Sequence, residues 1–163
     1  MIENKGHNRI CQIELDEKSI IRRNADIEHE KRVAIFDLLE TNHFAPKTNL
    51  SHDYPGPYHV NLRIEENRLV IDLKTEELRE LSTLILPLSS LRRVIKEYFI
   101  ICDSYYDAVK SATPQQLEAF DMGRRTLHNE GSTILKERIK DKIDIDFETA
   151  RRLFTLICVL QIR

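Results

Sequence analysis

Two alternating runs, YHVNLRI at 58–64 and RLVIDLK at 68–74, constrain the fold most. Tyr58, Val60, Leu62 and Ile64 fall on one side of an extended chain, and Leu69, Ile71 and Leu73 do the same in the second run. Only Glu65, Glu66 and Asn67 separate them, and asparagine suits the left-handed position of a tight turn. The pair therefore predicts a hairpin with a single apolar face. Such a hairpin is marginal alone and must be extended and covered. TLILPL at 83–88 supplies a third strand, and RICQIEL at 9–15 another, with Cys11, Ile13 and Leu15 on one side.

The cover comes from runs of helical period. NADIEHEKRVAIFDLLE at 24–40 places Ile27, Ala34, Ile35 and Leu38 on one stripe, with Asn24 as its N-cap. SSLRRVIKEYFIICDSYYDAVKSA at 89–112 carries a broad apolar face that includes Leu91, Val94, Ile95, Tyr98 and Cys102. Thr113, Pro114 and Gln116 spell a capping box that opens a third helix, running to about Lys142. A last helix starts after Asp146 and is apolar nearly all round from Leu153 to Leu160, so it is expected to be buried. The segment 42–57, rich in proline and glycine, reads as a long loop, and residues 1–8 as a flexible N-terminus. The expected fold is α+β: a small antiparallel sheet of about four strands packed against four helices, in one domain.

At 41% hydrophobic and 32% charged the chain can bury a core and is not a disordered polymer. A formal charge of −2 gives no bulk attraction to nucleic acid or membrane. The first ten residues lack the apolar region of a signal peptide, and the run LFTLICVL is too short to span a bilayer. Cys11, Cys102 and Cys158 have no metal-type spacing and read as reduced thiols of a cytoplasmic protein.

The third helix holds the densest polar cluster, DMGRRTLHNEGSTILKER at 121–138. At about 100° per residue from Gly123, the apolar stripe of Leu117, Phe120, Leu127, Ile134 and Leu135 spans roughly 20° to 120°. Gly131 lies inside it. A glycine costs about 1 kcal/mol against alanine in a helix, so close approach of a neighbour is expected there, with a chain reversal at Gly131–Ser132 as the rival. Arg124 also falls within the stripe, and His128 borders it. A guanidinium facing a core needs a carboxylate or carbonyls. Asp121 is in reach on the same helix, and Glu28 lies on the apolar side of the first helix. These residues, with Glu130, form the candidate site: either a buried ion pair that fixes helix register, or a ligand pocket. A catalytic pair of His128 with Glu130 is the weaker variant.

A second candidate is Ser90 with Arg92 and Arg93 at the start of the 89–112 helix, where cations oppose the helix dipole unless an anion joins them. Tandem arginines recur at 22–23, 92–93, 124–125 and 151–152, without any nucleic-acid-binding signature beside them. His43, His52, Asp53 and His59 match no zinc framework, and no phosphate loop or nucleophile elbow occurs. No metal and no cofactor is implied. Ile100 stands alone on the polar side of its helix and marks a place where a protein partner or second copy would touch.

Four segments, NADIEHEKRVAIFDLLE, LRRVIKEYFIICDSYYDAV, DMGRRTLHNEGSTILKERI and DFETARRLFTLICVL, resemble a family of uncharacterised bacterial proteins of the UPF series, found chiefly in alphaproteobacteria. The resemblance implies a bacterial cytoplasmic protein and transfers no activity, cofactor or catalytic residue onto individual positions. From the residues themselves, the leading expectation is a non-catalytic binding or regulatory protein that contacts a protein partner, a homo-oligomeric copy or a small anion such as phosphate. The alternatives are a small enzyme acting on a phosphorylated or nucleotide substrate, with His128 as acid/base, and a weak binder of nucleic-acid backbone through the tandem arginines. Nucleic acid is disfavoured, and no membrane role is expected.

Overall fold

The computed structural model describes residues 7–17 and 25–161. The hairpin forms as its pattern requires: β3 (Tyr58–Glu65) and β4 (Arg68–Thr75) pair antiparallel from Tyr58↔Thr75 to Glu65↔Arg68. Glu66 and Asn67 both take positive φ, 50° and 66°, which matches the right-handed twist of the flanking strands. β5 (Glu80–Pro87) continues the meander antiparallel to β4.

The α+β class holds, but the sheet is mixed. β1 (Ile10–Leu15) adds to β3 in parallel, giving the order β1-β3-β4-β5. A parallel pair needs a long crossover, and the connection between β1 and β3 supplies it with α1 (Ala25–Glu40). A register shift between Ile10 and Gln12 also changes which side chains of β1 turn inward. Ile10 and Ile13 are buried, whereas Cys11 and Leu15 are only half-buried. The expected N-cap Asn24 and the arginines at 22–23 lie outside the described residues, as does most of the N-terminal 1–8.

The segment 42–57 carries more structure than a loop. It holds β2 (Phe44–Pro46) and the single helical turn α2 (Thr48–Ser51). β2 pairs antiparallel with β6 (Ile143–Ile145), a strand that the sequence did not signal. Three residues apiece are too few for a periodicity to register.

After a 3-10 turn at Ser89–Leu91 come α3 (Arg92–Ala108), α4 (Pro114–Ile139) and α5 (Phe147–Leu160). Thr113 Oγ1 accepts from Gln116 N–H while the Gln116 side chain accepts from Thr113 N–H, so the capping box is complete. Asp146 caps α5 by accepting from Thr149 N–H. α4 is continuous through Gly131, with no reversal at Gly131–Ser132. α5 packs on β3, α1 and α4, and Leu153, Phe154 and Leu156–Leu160 are all buried. Its burial is interrupted on one side, where Arg151, Arg152 and Thr155 remain half-exposed. The outward side of the sheet is polar and tied by Arg63 to Asp72 and Glu65, and by Thr83 to Asp72. Among the described residues no helix is long and apolar enough to cross a membrane.

Candidate functional site

α5 packs against both α1 and α4, and a cleft of about 400 Å³ opens where the polar rows of all three helices meet. Each row has helical spacing, so each presents one side of its helix. α4 contributes Asp121, Arg124, Arg125 and His128. α1 contributes His29, Glu30 and Asp37, with Val33 and Ala34 between Glu30 and Asp37, and α5 contributes Arg151, Arg152 and Thr155. Tyr98 of α3 completes the lining.

His128 forms the deepest polar point, at 9% exposure. Its ring packs edge-on against Phe154 at 5.1 Å between centroids and lies tilted against Tyr98 at 5.5 Å. Nε2 lies 2.7 Å from Thr155 Oγ1, and Thr155 donates its hydroxyl hydrogen to the Arg151 carbonyl at 3.2 Å. In the tautomer with that hydrogen given to the carbonyl, Nε2–H is the donor to Thr155 and Nδ1 carries a bare lone pair. Nδ1 is buried and has no hydrogen-bond partner among the described residues. Burial first, then the charges of Arg151, Arg124 and Arg152, push the His128 pKa down to about 4. The imidazole is therefore neutral at neutral pH.

Arg124 is half-buried, bonded to Asp121, with its guanidinium 5.3 Å from the centre of the Tyr105 ring. Burial opposes the cation, but the Asp121 hydrogen bond and charge outweigh it, so the pKa of Arg124 is raised. Asp121 also takes Arg125 and is lowered by both hydrogen bonds. Arg124 Nε and Arg151 Nε are buried N–H groups that have no acceptor among the described residues. Around one cleft, then, stand two donors and one acceptor without partners.

The sequence-derived site is thus divided. Asp121, Arg124 and His128 come together as expected. Glu28 does not line the cleft; it lies 3.2 Å from Lys31 on its own helix, and the α1 carboxylates at the cleft are Glu30 and Asp37. Glu130 turns to the opposite side of α4, where it pairs with Arg93 across to α3, so it is not beside His128. Arg93 is further held by Glu97 at 2.7 Å. Arg92 instead lines a separate, smaller cleft of about 230 Å³ with Lys96 and Phe99, so the two arginines following Ser90 diverge. His43, His52 and His59 are dispersed to Asp144, Ser82 and Glu14 respectively. Ile100 is 57% exposed, as its lone position on a polar side predicts.

Sequence reasoning missed His29, Glu30, Asp37 and Thr155, and gave the 151–152 pair no place in the cluster around Arg124. The signal was present in part: Glu30, Ala34 and Asp37 share one stripe of α1, and the arginines at 124–125 and 151–152 are two tandem pairs that converge. Only the packing of α1 and α4 on α5 brings those rows to a common point.

An α+β protein with an arginine-bordered cleft between three helices is the class that this fold and site define. The chain belongs to the Uncharacterised protein family (UPF0262), whose sequence profile matches residues 7–163. It is 52% identical over 155 residues to a UPF0262 protein of Paramagnetospirillum magneticum, covering 95% of this chain and 96% of the relative. Likewise it is 54% identical to one of Azorhizobium caulinodans, over 94% of this chain and 93% of that protein. A third, from Sphingopyxis alaskensis, is 53% identical over 95% and 94% of the two chains. No solved structure matches the chain.

Proposed function

We propose that this is a non-catalytic binding protein of the bacterial cytoplasm, whose interhelical cleft holds a small anionic ligand. The observation that carries the reading is the pair of buried, acceptorless N–H groups, Arg124 Nε and Arg151 Nε, bordering the same cleft. A buried donor left unsatisfied costs about 1–3 kcal/mol, and an oxyanion between the two guanidiniums removes that cost through charge-assisted bonds. Binding is favoured over acid/base catalysis because His128 is neutral across the physiological range, with a pKa of about 4, and lacks Glu130 as a neighbour. Binding of nucleic-acid backbone is disfavoured because Glu30, Asp37 and Asp121 interrupt the arginines, which can border one small anion but form no continuous basic track. The three thiols, none of them in a disulfide, agree with a reducing compartment.

Titration of inorganic phosphate and of acetate into isotopically labelled protein, read by the Nε–Hε signals of Arg124 and Arg151, tests this. Saturable shifts at both arginines, abolished in the Arg124→Met Arg151→Met double variant, are expected. Unmoved signals at millimolar concentrations of both anions overturn the reading.

A further inference from the structure

We infer that the ligand of this cleft is a zwitterion, carrying a carboxylate and an ammonium group on a short apolar spacer. The inference rests on the anion reading above and deepens it. Arg124 Nε and Arg151 Nε call for an acceptor, but the third buried atom without a partner, His128 Nδ1, calls for a donor. A simple anion answers the first two and leaves the histidine unanswered. The zwitterion requires the tautomer in which Thr155 gives its hydrogen to the Arg151 carbonyl and Nδ1 is an acceptor.

The charges of the walls agree. The α1 wall presents Glu30 and Asp37, two turns apart, with the apolar Val33 and Ala34 between them. Among the described residues, neither carboxylate accepts a hydrogen bond from the facing arginines. Glu30 accepts from the Tyr106 hydroxyl at 2.7 Å, a neutral partner. Asp37 forms a long ion pair with Arg152, at 3.8 Å and without a hydrogen bond. A carboxylate bound toward α4 and α5 and an ammonium bound toward α1 therefore meet opposite charges, and the aliphatic span between them rests on Val33, Ala34 and the Tyr98 ring.

Chain-matched probes separate the two levels of the claim. Binding of 4-aminobutyrate, 4-hydroxybutyrate and butyrate is measured by calorimetry and by the arginine Nε–Hε signals. The amino compound is expected to bind roughly tenfold or more tightly than the other two, as one added charge-assisted contact allows. That advantage should vanish in Glu30→Gln, and separately in Asp37→Asn in case one variant folds poorly, while butyrate binding is kept. Equal binding of all three probes, with the arginine signals still shifting, overturns the zwitterion and leaves the anion reading standing. Equal binding of the amino and hydroxy compounds above butyrate also overturns it, because a neutral donor then suffices. No shift with any probe, phosphate included, removes both.

Discussion

The bare Cα of Gly131 on α4 is occupied from the side by the ring of Phe154 on α5: a methyl group added at Gly131 would fall within the ring, near Cζ and Cε1. The same ring packs edge-on against His128 and Tyr98, so the contact that seats α5 on α4 also backs two residues that line the cleft. Gly131→Ala should destabilise the protein by about 1–3 kcal/mol, despite the helix propensity it gains, because Phe154 is fully enclosed and has nowhere to move. Gly123→Ala is the contrast. There the added methyl meets the flexible end of Ile101, which is half-buried and can rotate, so the cost is expected within about 1 kcal/mol of zero. Denaturant midpoints of the two variants check the pair; equal effects would show that Phe154 does not set the spacing of these helices.

His128 makes stability depend on pH with a defined sign. In the unfolded chain it takes up a proton near its ordinary 6.5, and in the folded protein only near 4. Between those values the unfolded state binds more protons, so stability is fully present above 6.5 and is lost as pH falls toward 4. A depression of that size corresponds to roughly 3 kcal/mol at the acid end. His128→Gln, which retains an amide donor for Thr155, removes the titration. Denaturation curves from pH 7 to pH 4 should therefore show the wild type losing this much more stability than the variant. Parallel losses would mean that the histidine is not held neutral by its surroundings.

Arg124 distinguishes a structural ion pair from a binding group. Its partner Asp121 keeps Arg125 if Arg124 is removed, and the side chain is 31% exposed. Arg124→Met should thus change stability by less than about 1 kcal/mol, with the loss of a half-exposed pair and a cation–π contact offset by removal of a buried orphan N–H. Phosphate affinity at the cleft should nevertheless fall roughly tenfold. A variant that is much less stable, or that binds phosphate unchanged, contradicts the proposed role.

The strands and long helices were legible because each is long enough for its period to repeat. β3 and β4 alternate over eight residues each, and Thr113 and Asp146 announce their helices by cap chemistry. The parallel placement of β1 was not legible, since alternation gives a strand its faces but not its neighbour. Glu28 was chosen over Glu30 for a related reason. Both carboxylates border the apolar stripe of α1, and only the docking of α1 on α5 decides which of them faces Arg124 and which faces Lys31. Half the candidate site, Asp121 with Arg124 and His128, lies within one helix turn-to-turn and was readable. The other half is assembled by tertiary contacts, from His128 with Thr155, 27 positions apart, to Asp37 with Arg152 between α1 and α5.

Asn42 shows how much can rest on a residue with no local pattern. It lies two residues beyond the end of α1, and its Oδ1 accepts from Ile10 N–H at 2.8 Å while its Nδ2 donates to the Ile10 carbonyl at 3.0 Å and the Leu38 carbonyl at 2.8 Å. One amide thus ties the start of β1 to the last turn of α1, answering both backbone groups of Ile10, which is fully buried. In Asn42→Ala the Ile10 groups are left without these partners at a part-buried site, at a cost of about 1–3 kcal/mol for the three bonds together. Asn42→Asp keeps the acceptor but loses both donors and sets a carboxylate against two carbonyls, so it should be at least as harmful. Amide hydrogen exchange reads the outcome locally: Ile10 N–H should lose protection in both variants, whereas the β3–β4 hairpin keeps its own. Retained protection at Ile10 would mean that another group replaces the asparagine at the strand start.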